Sequence, residues 1–167
     1  PSLSPSLSSS PSLSPSSVFD RVFQIKTTHS EFGSASQWCL TVEYKGISSK
    51  LQVRPCRAYS DLNDNLQLFE RNEGNQLFLN GPQGYCVASL SRLIEIQNCD
   101  IIPSENQKFS VGTDGKLGQS RDNQQFFIGF DSSRMFPRIR LYKLGTSNDT
   151  LGKWSIVYGM AALPTAR

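Results

Sequence analysis

Histidine is nearly absent from the sequence, and the motifs of the common catalytic sites are missing. His29 is the only histidine among 167 residues. A Ser-His-Asp triad built around it would need a Gly-x-Ser-x-Gly turn or a glycine-rich oxyanion loop, and the sequence has neither. No glycine loop that could cradle a phosphate is present, and Asp61, Asp64 and Asp131 lack the spacing of a carboxylate pair. We therefore predict that the chain is not an enzyme and holds neither a cofactor nor a metal.

Strong net charge and long apolar runs are absent as well. The 17 basic and 14 acidic residues leave a net charge of +3, which is too small to indicate nucleic-acid binding. No basic face with interleaved aromatic residues is visible. The longest apolar runs, such as 126–130, are far shorter than the ~20 residues that a membrane-spanning helix needs. We predict a soluble domain without nucleic-acid partners and without insertion into a membrane.

A unit of three short β-type runs occurs three times along the chain. The aromatic residues that close the copies, Phe69, Phe109 and Trp154, lie 40 and then 45 residues apart. Such periodicity means that one supersecondary unit is repeated and that each copy is too small to bury its apolar face alone. The nine runs are 38–42, 51–56 and 66–69, then 85–88, 93–99 and 107–109, and finally 126–130, 138–142 and 153–156.

The segments between these runs predict a closed, all-β architecture. Residues 18–26 alternate as a strand does, and turn sequences are dense, for example at Asp114-Gly115, where the glycine supplies the positive φ of a tight hairpin. No window contains a convincing amphipathic helix of ten residues, and 62–69 holds one turn at most. About twelve short strands separated by turns are typical of a barrel, which leaves no exposed sheet edge.

The four cysteines lie at matching positions in the first two copies. This match predicts that Cys39 pairs with Cys56 and that Cys86 pairs with Cys99. Each disulfide would contribute about 3 kcal/mol in the chain-entropy model, and together they indicate an oxidising, extracellular compartment. The alternatives are free thiols or a zinc site, although the spacings of 17, 30 and 13 residues include no Cys-x-x-Cys pair.

Residues 1–17 contain only proline, serine and leucine. This composition cannot build a core and favours disorder or an extended polyproline II arm, which would reach about 50 Å at ~3.1 Å per residue. The arm is either a flexible linker or a stalk with O-linked sugars. The recurring Leu3, Leu7 and Leu13 also suggest docking on a neighbouring copy and hence self-assembly. The candidate O-glycosylation sites are Ser2, Ser4, Ser6, Ser8, Ser12, Ser14 and Ser16.

A second kind of modification is predicted near the other end of the chain. The sequon Asn148-Asp149-Thr150 lies on an evident turn, which makes Asn148 a candidate for N-glycosylation. Glycans are therefore expected partners, attached covalently in addition to any that are bound. The chain opens at Pro1 without a methionine or signal peptide, and we expect a processed form or a fragment of a longer protein.

Together the cysteine and glutamine motifs resemble the ricin B-chain type lectin family. The resemblance rests on the Cys-Leu run at Cys39, the run that ends in Pro55-Cys56, and a Gln-x-aromatic closure followed by an Asn/Gly turn. It implies a β-trefoil, in which three four-stranded copies surround a pseudo-threefold axis. The implied division of the chain is an arm at 1–17, a trefoil domain at 18–160 and a tail at 161–167.

In this family the Gln-x-aromatic residues close the core of each copy. The matches are Gln67 with Phe69 and Gln107 with Phe109, where phenylalanine replaces the usual tryptophan. In the third copy Trp154 is preserved and the glutamine is absent. We expect all of these aromatic residues to be buried.

The resemblance also implies where sugar would bind. A sugar-binding copy has an aspartate two residues after the first cysteine, an aromatic residue two before the second, and an asparagine just ahead of the closing glutamine. The polar groups hydrogen-bond the sugar hydroxyls while the ring stacks on the pyranose. The aspartate position holds Thr41, Ala88 and Ile128, and the aromatic position holds Arg54, Gln97 and Arg140. The sugar-binding candidates that are left are Asn65, Asn106 and Gln107.

Two functions are consistent with these patterns. In the first, the chain is an extracellular, lectin-like interaction module with degenerate sugar sites that serves as a structural subunit of a surface or filamentous glycoprotein assembly. In the second, it is a secreted carbohydrate-binding lectin domain that uses non-standard loop sites. The degenerate sugar positions and the composition of the arm favour the first.

Overall fold

The computed structural model describes residues 22–28, 37–57, 66–80, 84–100, 104–131, 138–143 and 145–158. These ranges contain twelve β-strands, a short 3-10 helix at Glu105–Gln107 and a four-residue helix, α1, at Asn148–Leu151. Neither helix has the length or apolar character to cross a membrane. The arm at 1–17, the tail at 161–167 and His29 lie outside the described ranges.

The strands form three groups of four, as the repeat predicts. The first copy contains β1 (Phe23–Thr28), β2 (Trp38–Val42), β3 (Leu51–Pro55) and β4 (Phe69–Arg71). The second contains β5 (Leu77–Leu79), β6 (Tyr85–Leu90), β7 (Leu93–Asn98) and β8 (Ser110–Val111). The third contains β9 (Leu117–Arg121), β10 (Gln124–Asp131), β11 (Arg138–Lys143) and β12 (Lys153–Tyr158).

Six of the strands close into a barrel. Antiparallel pairing joins β12 to β1, β1 to β4, β4 to β5, and β8 to β9. The bridge between Gln76 and Lys108 joins β5 to β8, and the amide of Trp154 donates to the carbonyl of Gly115 at 2.7 Å beside β9. Among the described residues, each of the six barrel strands thus has a bonded neighbour on both sides.

The other six strands form three hairpins, β2–β3, β6–β7 and β10–β11, that meet around the pseudo-threefold axis. Each hairpin pairs with the next through residues at equivalent positions. This arrangement of barrel and hairpins confirms the predicted β-trefoil. The three inter-hairpin pairs are Lys50 with Glu95, Leu93 with Arg140, and Arg138 with Gln52.

One continuous hydrophobic core fills the space between the barrel and the hairpins. Phe69 and Phe109 are buried within it, as predicted for the closing aromatics. Trp154 is also buried, and its ring stacks on that of Phe130 with 5.2 Å between centroids. Both predicted disulfides, Cys39 with Cys56 and Cys86 with Cys99, are present.

Gln67 ties the first disulfide to the barrel. Its Nε2 donates to the carbonyl of Pro55 at 2.9 Å, and its Oε1 accepts from the amide of Arg57 at 2.7 Å. These two backbone groups flank Cys56, so the glutamine spans the half-cystine and fixes the chain on either side of it. A buried amide with no such partners would cost free energy rather than contribute it.

Gln107 repeats this arrangement in the second copy. Its Nε2 donates to the carbonyl of Asn98 at 2.8 Å, and its Oε1 accepts from the amide of Asp100 at 2.9 Å. The two groups flank Cys99, which is bonded to Cys86. The matching geometry shows that the glutamine and the second cysteine of each copy act as one unit.

The third copy replaces this unit with packing. Gly152 stands where the glutamine would be, at a φ of 64°, a conformation that favours glycine. A Cβ on Gly152 would lie 2.5 Å from the ring of Phe130, so the ring occupies the space that a side chain would need. With no cysteines to hold, the third copy needs no glutamine.

The predicted strands differ from the observed ones in two places. Within the predicted run at 66–69, Leu66 and Gln67 form a turn and β4 begins only at Phe69. Gln107 likewise ends a 3-10 helix. The reason is that each glutamine must leave the barrel wall to reach the cysteine strand. The turn at Asp114-Gly115 is confirmed, with Gly115 at a φ of 78°.

We predict that Gln67→Met lowers the free energy of unfolding by about 1 to 3 kcal/mol, because the partly buried backbone groups of Pro55 and Arg57 lose the side chain that they bond. The measurement is chemical denaturation under non-reducing conditions. The matched control is Gln124→Met on the exposed part of β10, for which a change within about 0.5 kcal/mol is expected. Similar losses in the two variants would contradict the spanning role of Gln67.

Candidate functional site

The register of the hairpins shows which residues occupy the positions where the resemblance places sugar binding. In the first copy Leu40 points into the core, so Cys39 and Thr41 lie on the opposite, outer face of the hairpin. In the third copy the core residue is Ile128, which is paired with Leu141.

Two sequence-based assignments in the third copy are therefore wrong. Ile128 is not at the aspartate position, because it is fully buried in the core; the outer-face residue that corresponds to Thr41 is Gly129. Arg140 is not at the aromatic position either. The residue that corresponds to Arg54 is Tyr142, which lies opposite Phe127 as Arg54 lies opposite Cys39.

The first copy has neither a carboxylate nor a ring at these positions. The hydroxyl of Thr41 donates to the carbonyl of Cys39 at 2.9 Å and accepts from Nε2 of Gln67 at 3.0 Å. Thr41 is buried, and Arg54 across the hairpin is exposed. The threonine therefore supports the glutamine, and its burial keeps the hydroxyl out of reach of a ligand.

The second copy has a carboxylate that sequence reasoning missed, on the strand opposite the expected one. Glu95 lies across from Ala88, is 5% exposed, and forms an ion pair with Lys50 of the first copy. Nε2 of Gln97 donates to the other carboxylate oxygen at 2.5 Å. Both oxygens of Glu95 are thus bonded within the protein. Since the side chain is also buried, the carboxylate links two hairpins and is closed to a sugar.

The third copy has a ring at the aromatic position, and the ring covers the site. A Cβ on Gly129 would lie 2.8 Å from the ring of Tyr142 and 2.7 Å from the carbonyl oxygen of Thr150. The hydroxyl of Tyr142 donates to the carbonyl of Phe130 at 3.0 Å, which fixes the ring in this position. No space is left at Gly129 for the carboxylate of a sugar-binding copy.

Tyr142 keeps its proton at neutral pH. Burial raises the pKa of its phenol above 10.0, and the charge of Asp131 raises the pKa further, while the nearby Arg140 lowers it. Arg140 itself pairs with Asp131 at 3.0 Å. The phenol therefore acts as a hydrogen-bond donor over the whole neutral range.

Solved structures with the same architecture include two lectins. The C-half of an earthworm R-type lectin, solved with GalNAc, has a TM-score of 0.63 and 15% identity, and the match covers 83% of this chain and 98% of that chain. The β-trefoil lectin of the Vibrio vulnificus hemolysin/cytolysin, solved with N-acetyl-D-lactosamine, has a TM-score of 0.63, 9% identity, and coverage of 83% and 94%. The chain shares the β-trefoil fold with these lectins.

The same fold also occurs in a toxin. The cytolethal distending toxin of Haemophilus ducreyi matches with a TM-score of 0.61, 15% identity and coverage of 87% of both chains. No protein-family model and no curated protein matches the sequence.

The asparagine and glutamine candidates of this β-trefoil have different surroundings. Gln107 is 3% exposed, and its amide is bonded to three partners inside the protein, one of them Nε2 of Gln76 at 2.9 Å. Asn106 is half-buried in the 3-10 helix, where its backbone carbonyl accepts from the hydroxyl of Ser89 at 3.4 Å. Asn65 lies outside the described residues, and Asn148 begins α1 with its side chain also outside them.

No metal centre is formed by the part of the chain that the structure describes, since no group of three or more His, Cys, Asp or Glu side chains could hold an ion there. The three outer-face positions of this β-trefoil are thus occupied by a hydrogen-bonded threonine, an ion-paired glutamate and a covering tyrosine ring. Of the residues at these positions, Tyr142 could have been identified from the sequence. Ile139 and Leu141 are both apolar, and a strand that turns them toward the core turns Tyr142 to the outer face.

We predict that Gly129→Ala destabilises the fold by about 1 to 3 kcal/mol, because the added methyl group meets both a ring and a backbone carbonyl that cannot turn away. Thermal and chemical unfolding measure the effect. The control is Gly112→Ala, whose Cβ would lie 2.8 Å from Oδ1 of Asp114, an exposed side chain that can move aside. Equal losses in the two variants would show that Tyr142 packs only loosely over Gly129.

Proposed function

We propose that the chain is a non-catalytic, lectin-like interaction module that does not bind neutral galactosides at the three outer-face positions of its fold. One observation carries the proposal. In the third copy, where an aromatic residue stands at the right position, the ring of Tyr142 lies on Gly129, the residue that replaces the aspartate. The first and second copies have neither the aspartate nor the ring.

The energetics of sugar binding support the proposal. A pyranose entering one of these positions must displace water, and it regains that loss only through hydrogen bonds to fixed polar groups. Hydrogen bonds to a charged group contribute about 1.5 to 3 kcal/mol each, so the absence of a free carboxylate removes much of the affinity of a small ligand. The hydroxyl of Thr41 and the carboxylate of Glu95 are already bonded within the protein.

The structural similarity to lectins supports a general role in molecular recognition. The earthworm lectin was solved with GalNAc and the Vibrio lectin domain with N-acetyl-D-lactosamine. A recognition role for this chain would use the same scaffold and other contacts. The two disulfides fit an extracellular setting.

We expect no saturable binding of GalNAc or N-acetyl-D-lactosamine at millimolar concentration, because no outer-face position offers a free carboxylate beside an open ring. Calorimetry or NMR titration of the full chain measures this. Binding that disappears in Asn106→Ala would contradict the proposal for the second copy. Binding that persists in Asn106→Ala would contradict the proposal for the first and third copies.

A finer proposal assigns the module to a surface or filamentous glycoprotein assembly through the arm at residues 1–17. Its support is the sequence of the arm, in which Leu3, Leu7 and Leu13 recur between Ser-Pro units. An extended, partly preformed segment loses less conformational entropy on docking than a flexible chain does. The same segment is a candidate for O-linked sugars.

Deletion of residues 1–17 is expected to lower the assembly state measured by analytical ultracentrifugation. A second variant that changes Leu3, Leu7 and Leu13 to serine keeps the length and separates the effect of the leucines from that of the backbone. The assembly proposal fails if both variants sediment as the intact chain does.

A further inference from the structure

We propose that the junction between the second and third copies binds an acidic saccharide, meaning a single sugar ring that carries a carboxylate or a sulfate. A cavity of about 230 Å³ lies there, between the turn of the β6–β7 hairpin and the end of β11. Its lining includes three cations, Arg92, Arg140 and Lys143, and two aromatic rings, Phe126 and Tyr142. The site is distinct from the covered position at Gly129 and goes beyond the function proposed above.

The fold holds the first cation in place through a tight turn. Ser91 and Arg92 form the two-residue connection between β6 and β7, with Ser91 at a φ of 58°, which is uncommon for a residue other than glycine. The carbonyl of Arg92 accepts from the amide of Leu141 at 3.0 Å. This bond ties the turn to β11 and places Arg92 on the same cavity wall as the residues that follow Leu141.

The charges around the cavity are unbalanced. Arg92 and Lys143 are exposed, and neither forms an ion pair with any carboxylate in the described residues. Arg140 pairs with Asp131 at 3.0 Å, which orients its guanidinium and neutralises one charge. Two cations therefore remain for a ligand, in a chain whose net charge is only +3. An anion that reaches both would form charge-assisted hydrogen bonds, the stronger class of such bonds.

The aromatic lining favours a sugar over a bare anion. The rings of Phe126 and Tyr142 are both half-buried, so part of each remains open to the cavity. Aromatic rings pack against the C–H face of a pyranose. The guanidinium of Arg121 lies 5.6 Å from the centroid of Phe126 and adds positive charge near this ring. The volume is below the roughly 300 to 1,000 Å³ of drug-sized pockets, which suits one sugar ring.

A second cavity, of about 410 Å³, also contains lysines and makes a useful contrast. Nζ of Lys26 donates there to Oε1 of Gln37 at 2.8 Å, so this cation already has a fixed partner. The ring of Trp154 in the same lining is 3% exposed and offers almost no surface for stacking. The junction of the second and third copies therefore combines open rings with unpaired cations, and the larger cavity does not.

The test is an NMR titration of the full isotope-labelled chain with matched probes. The acidic probes are N-acetylneuraminic acid and 6-sulfated N-acetylglucosamine, and the comparison probes are unmodified N-acetylglucosamine and inorganic sulfate. We expect saturable shifts of the amides around Arg92 and Lys143 with the acidic sugars alone. Their affinity should fall with added sodium chloride, because the cations are exposed and salt screens them.

Variants locate the site. Arg92→Ala combined with Lys143→Ala should weaken binding of the acidic sugars by about tenfold or more for each cation lost. The matched control, Arg54→Ala combined with Lys45→Ala, removes the same residue types from exposed positions in the first copy and should leave the affinity unchanged. Unfolding temperatures of both double variants identify any loss that comes from misfolding.

Several outcomes would overturn the proposal. Inorganic sulfate that binds as tightly as the sulfated sugar would show a simple anion site. Equal binding of the neutral and acidic sugars would show that the cations do not discriminate between them. An equal loss in the control variant would show diffuse attraction to a basic chain. No binding of either acidic sugar would also overturn it, while the absence of galactoside binding proposed earlier would stand.

Discussion

The pairing of each hairpin with the next around the pseudo-threefold axis is the constraint on which the rest of the structure depends. It fixes the register of β3, β7 and β11 at once, because the three inter-hairpin pairs join equivalent positions. It also determines which contacts the polar side chains on the outer face of the hairpins make. Lys50 reaches Glu95 through this pairing, and the carboxylate that a ligand could have used becomes a link between two copies. The middle of each hairpin therefore serves the contacts within and between copies.

The fold was predictable from the sequence because the repeated copies share recognisable cysteine and glutamine motifs. The cysteines and glutamines of the first two copies lie at matching places, and the structure shows that they form one hydrogen-bonded unit, with Gln67 spanning Cys56 and Gln107 spanning Cys99. A motif that is one physical unit is easy to recognise in sequence. The third copy has lost the whole unit, and only Trp154 and the strand pattern identify it.

The candidate site was harder to predict for the same reason. β10 contains no cysteine, so only the alternation of apolar and polar residues could indicate which of its side chains face the core. Residues 126–130 are nearly all apolar, and the pattern is therefore compatible with either assignment. Ile128 and Arg140 were assigned to the sugar-binding positions because the inward and outward faces of these strands were exchanged. Glu95 was missed because its partner, Lys50, belongs to another copy, and no local spacing reveals a contact between residues that are distant along the chain.

The closure of the barrel by β1 and β12 has a mechanical consequence. Phe23, where β1 begins, lies opposite Tyr158, where β12 ends, so the first and last described strands have these two ends side by side. Tension applied through the two flanking segments would open this antiparallel pair from its end, one hydrogen bond after another. Neither disulfide spans β1 and β12, so neither resists that opening. Under load the β1–β12 pair would therefore separate progressively, although disulfides cross-link the β2–β3 and β6–β7 hairpins.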